Sequence, residues 1–203
     1  GHLPRLVELE DIRGDLHSHT AETDGRDSLA DMAVAARRRG LEYLAVTDHS
    51  QALRMVDGLD ERRLMAQMDA IDRINEGLQG FRLLKGIEVD ILEDGSLDLP
   101  DSVLRRLDLV IGSVHSRFQL SLEQQTTRIL RAMDHRYFSI LAHPSGRLLA
   151  PRPMLRHNLA TGGDPLTWLW RSRAKRPRSV VLLCDISGSM ERHARLLLRF
   201  SHA

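Results

Sequence analysis

The strongest constraint on this chain is a pattern that recurs along its first 150 residues. A short apolar run ends on a histidine or an acid, and a segment of helical period follows. "LEYLAVTDHS" (41–50), "FRLLKGIEVDI" (81–91), "LDLVIGSVHS" (107–116) and "YFSILAHPS" (137–145) read as strands. Between them, "SLADMAVAARRRG" (28–40) offers Ser28 as an N-cap and Gly40 as a left-handed terminator. "LDERRLMAQMDAIDRINEG" (59–77) sets Leu64, Met68, Ile71 and Ile74 along one stripe. "SLEQQTTRILRAMDH" (121–135) is a third candidate helix. Strands alternating with helices predict parallel strands joined by helical crossovers, an α/β architecture.

The strand ends carry chemistry. In "DLHSHTAETDG" (15–25), His17 and His19 lie two apart, and on a strand such residues share a face. Asp24 follows in the loop. His49, Glu88, His115 and His143 each stand at or near the C-terminal end of a later strand. In a parallel barrel that rim is where side chains from different strands converge. These seven residues are therefore candidate ligands at one mouth. Neutral imidazoles mixed with carboxylates suit Zn²⁺, Mn²⁺ or Fe²⁺ better than Ca²⁺. A lone histidine after a strand is ordinarily a loop residue, and a lone Glu88 an ordinary ion pair. Five histidines at strand ends are harder to explain one at a time. His2, His135, His157, His193 and His202 read as structural. Asp48 reads either as a group orienting the His49 imidazole or as a turn residue.

Composition adds limits. The net charge is only +1 over 203 residues, so charge balance argues neither for nor against a nucleic-acid partner. The single cysteine, Cys184, excludes an internal disulfide. No apolar run approaches the ~20 residues that span a membrane, and "GHLPRLVELEDIRG" is too polar for a secretory leader. No membrane association and a cytoplasmic location are expected.

Near residue 150 the chain changes character. The stretch 151–179 holds both tryptophans, four of the seven prolines and the basic cluster "RSRAKRPR". It reads as a connector. The cluster is a candidate tether for phosphates, although a solvated linker is its plainer reading. An apolar strand, "SVVLLCDISGSM", then leads into the amphipathic "ERHARLLLRFSHA". The expected organisation is a first domain over 1–150, a connector over 151–179 and a further fragment over 180–203.

"DLHSHT…TDG", "VTDHS", "GIEVDILEDGSLDLPD", "VIGSVHS" and "LAHPSGRLL", in that order, resemble the polymerase and histidinol phosphatase (PHP) family. The likeness is to the branch attached to bacterial family X DNA polymerases. The resemblance implies a distorted (β/α)₇ barrel holding up to three ions. The matched ligands are His17, His19, Asp24, His49, Glu88, His115 and His143. It also implies hydrolysis of phosphoesters, at DNA 3′ ends in the nearest relatives, or of a small phosphorylated compound. Glu88 is the natural bridging carboxylate, because each of its oxygens can serve a different ion. Arg147 could clamp a phosphate oxygen or form a surface salt bridge. The family's closing Asp-x-His does not follow His143, so the barrel is expected to be incomplete.

The end of the chain resembles the start of a von Willebrand factor A (VWA) domain of the carbon-monoxide dehydrogenase accessory type, as one strand and one helix. In "DISGSM", Asp185, Ser187 and Ser189 match an Asp-x-Ser-x-Ser site for Mg²⁺; the plainer reading is a helix cap. A further expectation is that "VVLLCDIS" takes the slot of the missing barrel strand, with Asp185 near the absent aspartate. The leading function is a metal-dependent phosphoesterase. The alternative is a non-catalytic binding module whose VWA-like end engages a protein partner.

Overall fold

The structure, a computed structural model, describes residues 7–142 and 181–182. Six strands form one sheet: β1 (Gly14–Ser18), β2 (Tyr43–Val46), β3 (Arg82–Asp90), β4 (Leu109–Ser113), β5 (Ile140–Leu141) and β6 (Val181–Leu182). They lie in consecutive order and every adjacent pair is parallel. Among the described residues, four α-helices connect β1 through β5: α1 (Leu29–Arg38), α2 (Glu61–Glu76), α3 (Asp101–Leu104) and α4 (Leu122–Met133). Consecutive order in one direction is that of a barrel wall, whereas a doubly wound sheet reverses its order part-way. Among the described residues the fold is thus the expected α/β type, an incomplete barrel. β6 pairs beside β5, with Ile140 opposite Val181 and Leu141 opposite Leu182. Part of the "VVLLCDIS" strand therefore does extend the sheet. Asp185 and the terminal helix lie outside the described residues, as does the junction near 150.

The strands alternate. On the helix side, Leu44, Val46 and Leu83 meet Ala33, Ala36 and Ile71 from α1 and α2. Further along, Ile87, Val89 and Val110 join Leu64 and Met68. The predicted stripe of α2 is the one that is buried, and fully burying such a side chain is worth about 1.5–3 kcal/mol. On the inner side, Ala45, Leu109, Ile111, Ile140 and Ala142 form a separate cluster with Leu16 and Leu84 against it. Followed toward the strand ends, this inner stripe turns polar, through Glu88 and Asp90 on β3 and Ser113 on β4, all buried. The period-two rule that fills the barrel with Leu84 thus also aims Glu88 and Asp90 inward.

β1 departs from that rule. Between its pairings Asp15–Leu44 and Ser18–Val46, β1 advances three residues while β2 advances two. The extra residue breaks the alternation. Leu16 packs into the inner cluster, and its neighbour His17 reaches the same interior.

Local signals end the helices where the sequence places them. Ser28 accepts the Asp31 amide at 3.2 Å at the start of α1, and Gly40 adopts φ +80° after its end. Asp60 caps α2, and Ser121 with Gln124 forms a reciprocal capping box on α4. Among the described residues, no helix is long and apolar enough to cross a membrane.

Candidate metal centre

Glu88 is the hub. It is fully buried near the C-terminal end of β3. Its Oε2 lies 3.1 Å from His17 Nε2, 3.4 Å from His19 Nε2 and 3.2 Å from His49 Nδ1. Its Oε1 accepts the Ser113 hydroxyl at 2.5 Å and stands 3.4 Å from His115 Nε2. Asp24 approaches from the loop after β1, its oxygens 3.5 Å from His19 Nδ1 and 3.4 Å from His49 Nε2. The rings pack together, with His19 stacked on His49 at 4.5 Å and His115 edge-on to His49 at 5.1 Å. The structure therefore brings together His17, His19, Asp24, His49, Glu88 and His115. His143 and Arg147 lie outside the described residues, as do Asp185, Ser187 and Ser189.

Backbone bonds fix these positions. His49 sits past β2, where it bridges in parallel to Glu88, and its carbonyl accepts the Leu59 amide at 2.8 Å. The loop carrying Asp24 curls back on β1, and the Gly25 amide reaches the Thr20 carbonyl at 2.9 Å. A Cβ at Gly25 would collide with the His19 carbonyl, which explains the glycine of the "TDG" signature.

Asp48 differs from both readings offered for it. Its buried carboxylate accepts the Thr20 amide at 2.7 Å and the Thr20 hydroxyl, the Thr23 hydroxyl and the Gln67 amide at 2.6 Å each. It holds the Asp24 loop rather than orienting an imidazole. Arg63, also on α2, reinforces this by donating to the Glu22 carbonyl at 2.9 Å.

Asp90 is a residue the sequence reading passed over. It contacts His115 Nδ1 at 2.5 Å, leaving Nε2 toward Glu88. The signal was available, since Asp90 stands two residues after Glu88 on a strand and must share its face. Burial is the largest single influence on His115 and pulls its pKa down. The hydrogen bonds and charges of Asp90 and Glu88 together outweigh it and raise the pKa to about 9. His19 goes the other way, lowered first by burial and then by the neighbouring His49.

The donor set fits metal ions. Three triads (His17–His19–Glu88, His19–Asp24–His49 and His49–Glu88–His115) each present ligand atoms within 4.8 Å of one another. His19 Nδ1 and His49 Nδ1 are buried without a hydrogen bond. Buried polar atoms are normally partnered, and a cation held by the surrounding donors would satisfy such lone pairs. Any two triads share one residue. Glu88 can serve two ions through its two oxygens, whereas a neutral imidazole coordinates through one nitrogen.

Comparison with known proteins returns two likenesses. The chain is 44% identical over 147 residues to the DNA polymerase/3′-5′ exonuclease PolX of Bacillus subtilis; this covers 72% of the chain and 26% of the relative. It is 34% identical over 134 residues to a probable phosphatase of Acetivibrio thermocellus, and 32% over 135 residues to one of Caldanaerobacter subterraneus. Those matches cover 64% of the chain and 53% and 51% of the relatives, so the chain spans between a quarter and about half of the proteins it matches. Residues 121–203 match the family model described as VWA domain containing CoxE-like protein, a match that begins just before α4. The chain is thus similar to PolX and the probable phosphatases over its N-terminal part and to the CoxE-like VWA family over its C-terminal part, consistent with a PHP-like segment followed by a VWA-like one.

Proposed function

We propose that this chain is a metal-dependent phosphoesterase, and that its substrate is the 3′ end of DNA, cleaved in the 3′-5′ direction. The observation that carries the reading is Glu88, a buried carboxylate surrounded by four imidazoles. The substrate is drawn from the likeness to PolX; the likeness to probable phosphatases supports the broader activity.

His17, His19 and Glu88 would hold one ion, His49, Glu88 and His115 a second, and Asp24 would complete either. A third needs donors beyond these six, and His143 is our candidate. Mn²⁺ or Zn²⁺, with Fe²⁺ next, matches the imidazole–carboxylate mixture. Bound ions would acidify water to a nucleophile at neutral pH and offset charge on the phosphoryl oxygens. The chain's own contribution is placement. Glu88 sets the spacing between the two ligand groups, and Ser113 fixes one of its oxygens. Asp90 keeps His115 Nε2 turned inward, and Asp48 holds the loop that delivers Asp24. Arg147 is our candidate for clamping a phosphate oxygen.

The VWA-type match favours a second role for the C-terminal part. Asp185, Ser187 and Ser189 would bind Mg²⁺ and engage a protein partner. Metal content of the purified chain, beside a His17→Ala/His19→Ala control, tests the main reading. Two or three equivalents of Mn, Zn or Fe, reduced in the control, with cleavage of a 3′-labelled oligonucleotide, support it. Metal with release of phosphate from small monoesters alone moves the substrate away from DNA. A folded chain that takes up no metal leaves the binding module as the better account.

A further inference from the structure

The largest fully buried side chain among the described residues is a charged one, Arg128, 1% exposed in the middle of α4. Desolvating a guanidinium is costly, and an aliphatic residue would fill the same space without that cost. What an aliphatic residue lacks is the donor fork. Arg128 Nε donates to the Leu92 carbonyl at 2.8 Å, and Nη2 donates to the Ile91 carbonyl. Nη1 donates to the Ser116 carbonyl at 2.9 Å and, more weakly, to Gln125 Oε1 at 3.4 Å.

The three carbonyls belong to two different segments of chain. Ile91 and Leu92 are the residues directly after Asp90, where β3 ends. Ser116 directly follows His115, beyond β4. One rigid planar group therefore ties together the two exits whose preceding residues, Asp90 and His115, are in contact at 2.5 Å. Three hydrogen bonds in a fixed geometry set the separation of these exits, and a flexible ammonium could not do so.

We propose that Arg128 is a positioning residue of the metal centre. It holds the ends of β3 and β4 at the spacing that keeps His115 against Asp90 and directed at Glu88, although among the described residues it makes no hydrogen bond to a candidate ligand. The proposal rests on the reading that His49, Glu88 and His115 hold an ion. It predicts a selective defect: loss of Arg128 weakens that ion and spares the one at His17, His19 and Glu88.

The test is Mn²⁺ titration of the full chain, with ions per folded molecule counted by native mass spectrometry and folding checked by circular dichroism. His115→Ala serves as the reference. Arg128→Met is expected to lose the equivalent that His115→Ala loses, or to hold it at least about tenfold more weakly, the scale usual for outer partners of a metal site. Arg128→Lys, which keeps the charge but not the fork, is expected to fall between Arg128→Met and wild type. Wild-type affinity at every equivalent in folded Arg128→Met overturns the proposal. So does parallel weakening of all equivalents, which marks a core residue only. If Arg128→Met does not fold, Arg128→Lys is judged by the same two outcomes. A wild-type chain that takes up no Mn²⁺ fails at an earlier step and refutes the metal reading itself.

Discussion

At the scale of single residues, the site is a contest between protons and cations for the same lone pairs. In the metal-free protein His115 is raised from an ordinary 6.5 to about 9. A histidine raised on folding adds stability that is complete below its unfolded pKa and disappears as pH climbs through its folded one. The metal-free chain should therefore lose stability between pH 6.5 and about 9, and His115→Gln should lack that component. Melting curves in chelator across this range check it. With metal the sign reverses: uptake displaces the proton, so affinity at this position rises with pH over the same window. Asp90→Asn should weaken metal by about 10–100-fold, measured by competition with a chromophoric chelator. The candidate ligands were legible because His17, His49, Glu88 and His115 stand at or near strand ends, with His19 and Asp24 in the segment just after β1. Asp90 was legible in principle, by parity with Glu88. The role of Asp48 was not, since its four donors come from residues 20, 23 and 67, a convergence that only the tertiary fold creates.

At the scale of elements, α2 does two jobs with one buried stripe and its edge. Leu64, Met68 and Ile71 bury it against the sheet, while Gln67 donates to Asp48 and Arg63 reaches the Asp24 loop at Glu22. Gln67→Leu removes one donor from a buried carboxylate and should cost about 1–3 kcal/mol. Urea denaturation measures that, and limited proteolysis should show faster cutting within 20–25. The apolar stripe of α2 was readable from spacing alone. α4 was not so transparent. Its bounds follow from Ser121 and Gln124, but it buries Arg128 and Ala132 while Leu122 and Leu130 are exposed. Periodicity weighs side chains by hydrophobicity, so it cannot anticipate a guanidinium chosen for its hydrogen bonds. The bulge in β1 was equally hidden: the spacing of His17 and His19 predicts a shared face, but not that Leu16 also turns inward.

At the scale of the whole molecule, four imidazoles and two carboxylates from four successive strands and their loops converge on one cluster. Chelation should lower the melting temperature, and returning Mn²⁺ should raise it with the logarithm of free metal, the signature of a ligand that binds only the folded state. A melting temperature unchanged by either treatment would mean that the cluster assembles without metal. The α/β class and the order of strands and helices were legible from alternation. Pairing of β6 with β5 was only a minor expectation, because an apolar strand does not announce its neighbour.

The consecutive strand order has a consequence for how such a chain tolerates change. Each of the six clustered candidate ligands lies within the first 115 residues, on or just beyond β1 to β4, and each strand is laid beside its predecessor. A wall built in this way grows at one margin only. β6, the described strand after β5, is laid beside it as a new outermost course. A strand such as β6 can then be added at that margin while the six clustered candidates upstream of it keep their places.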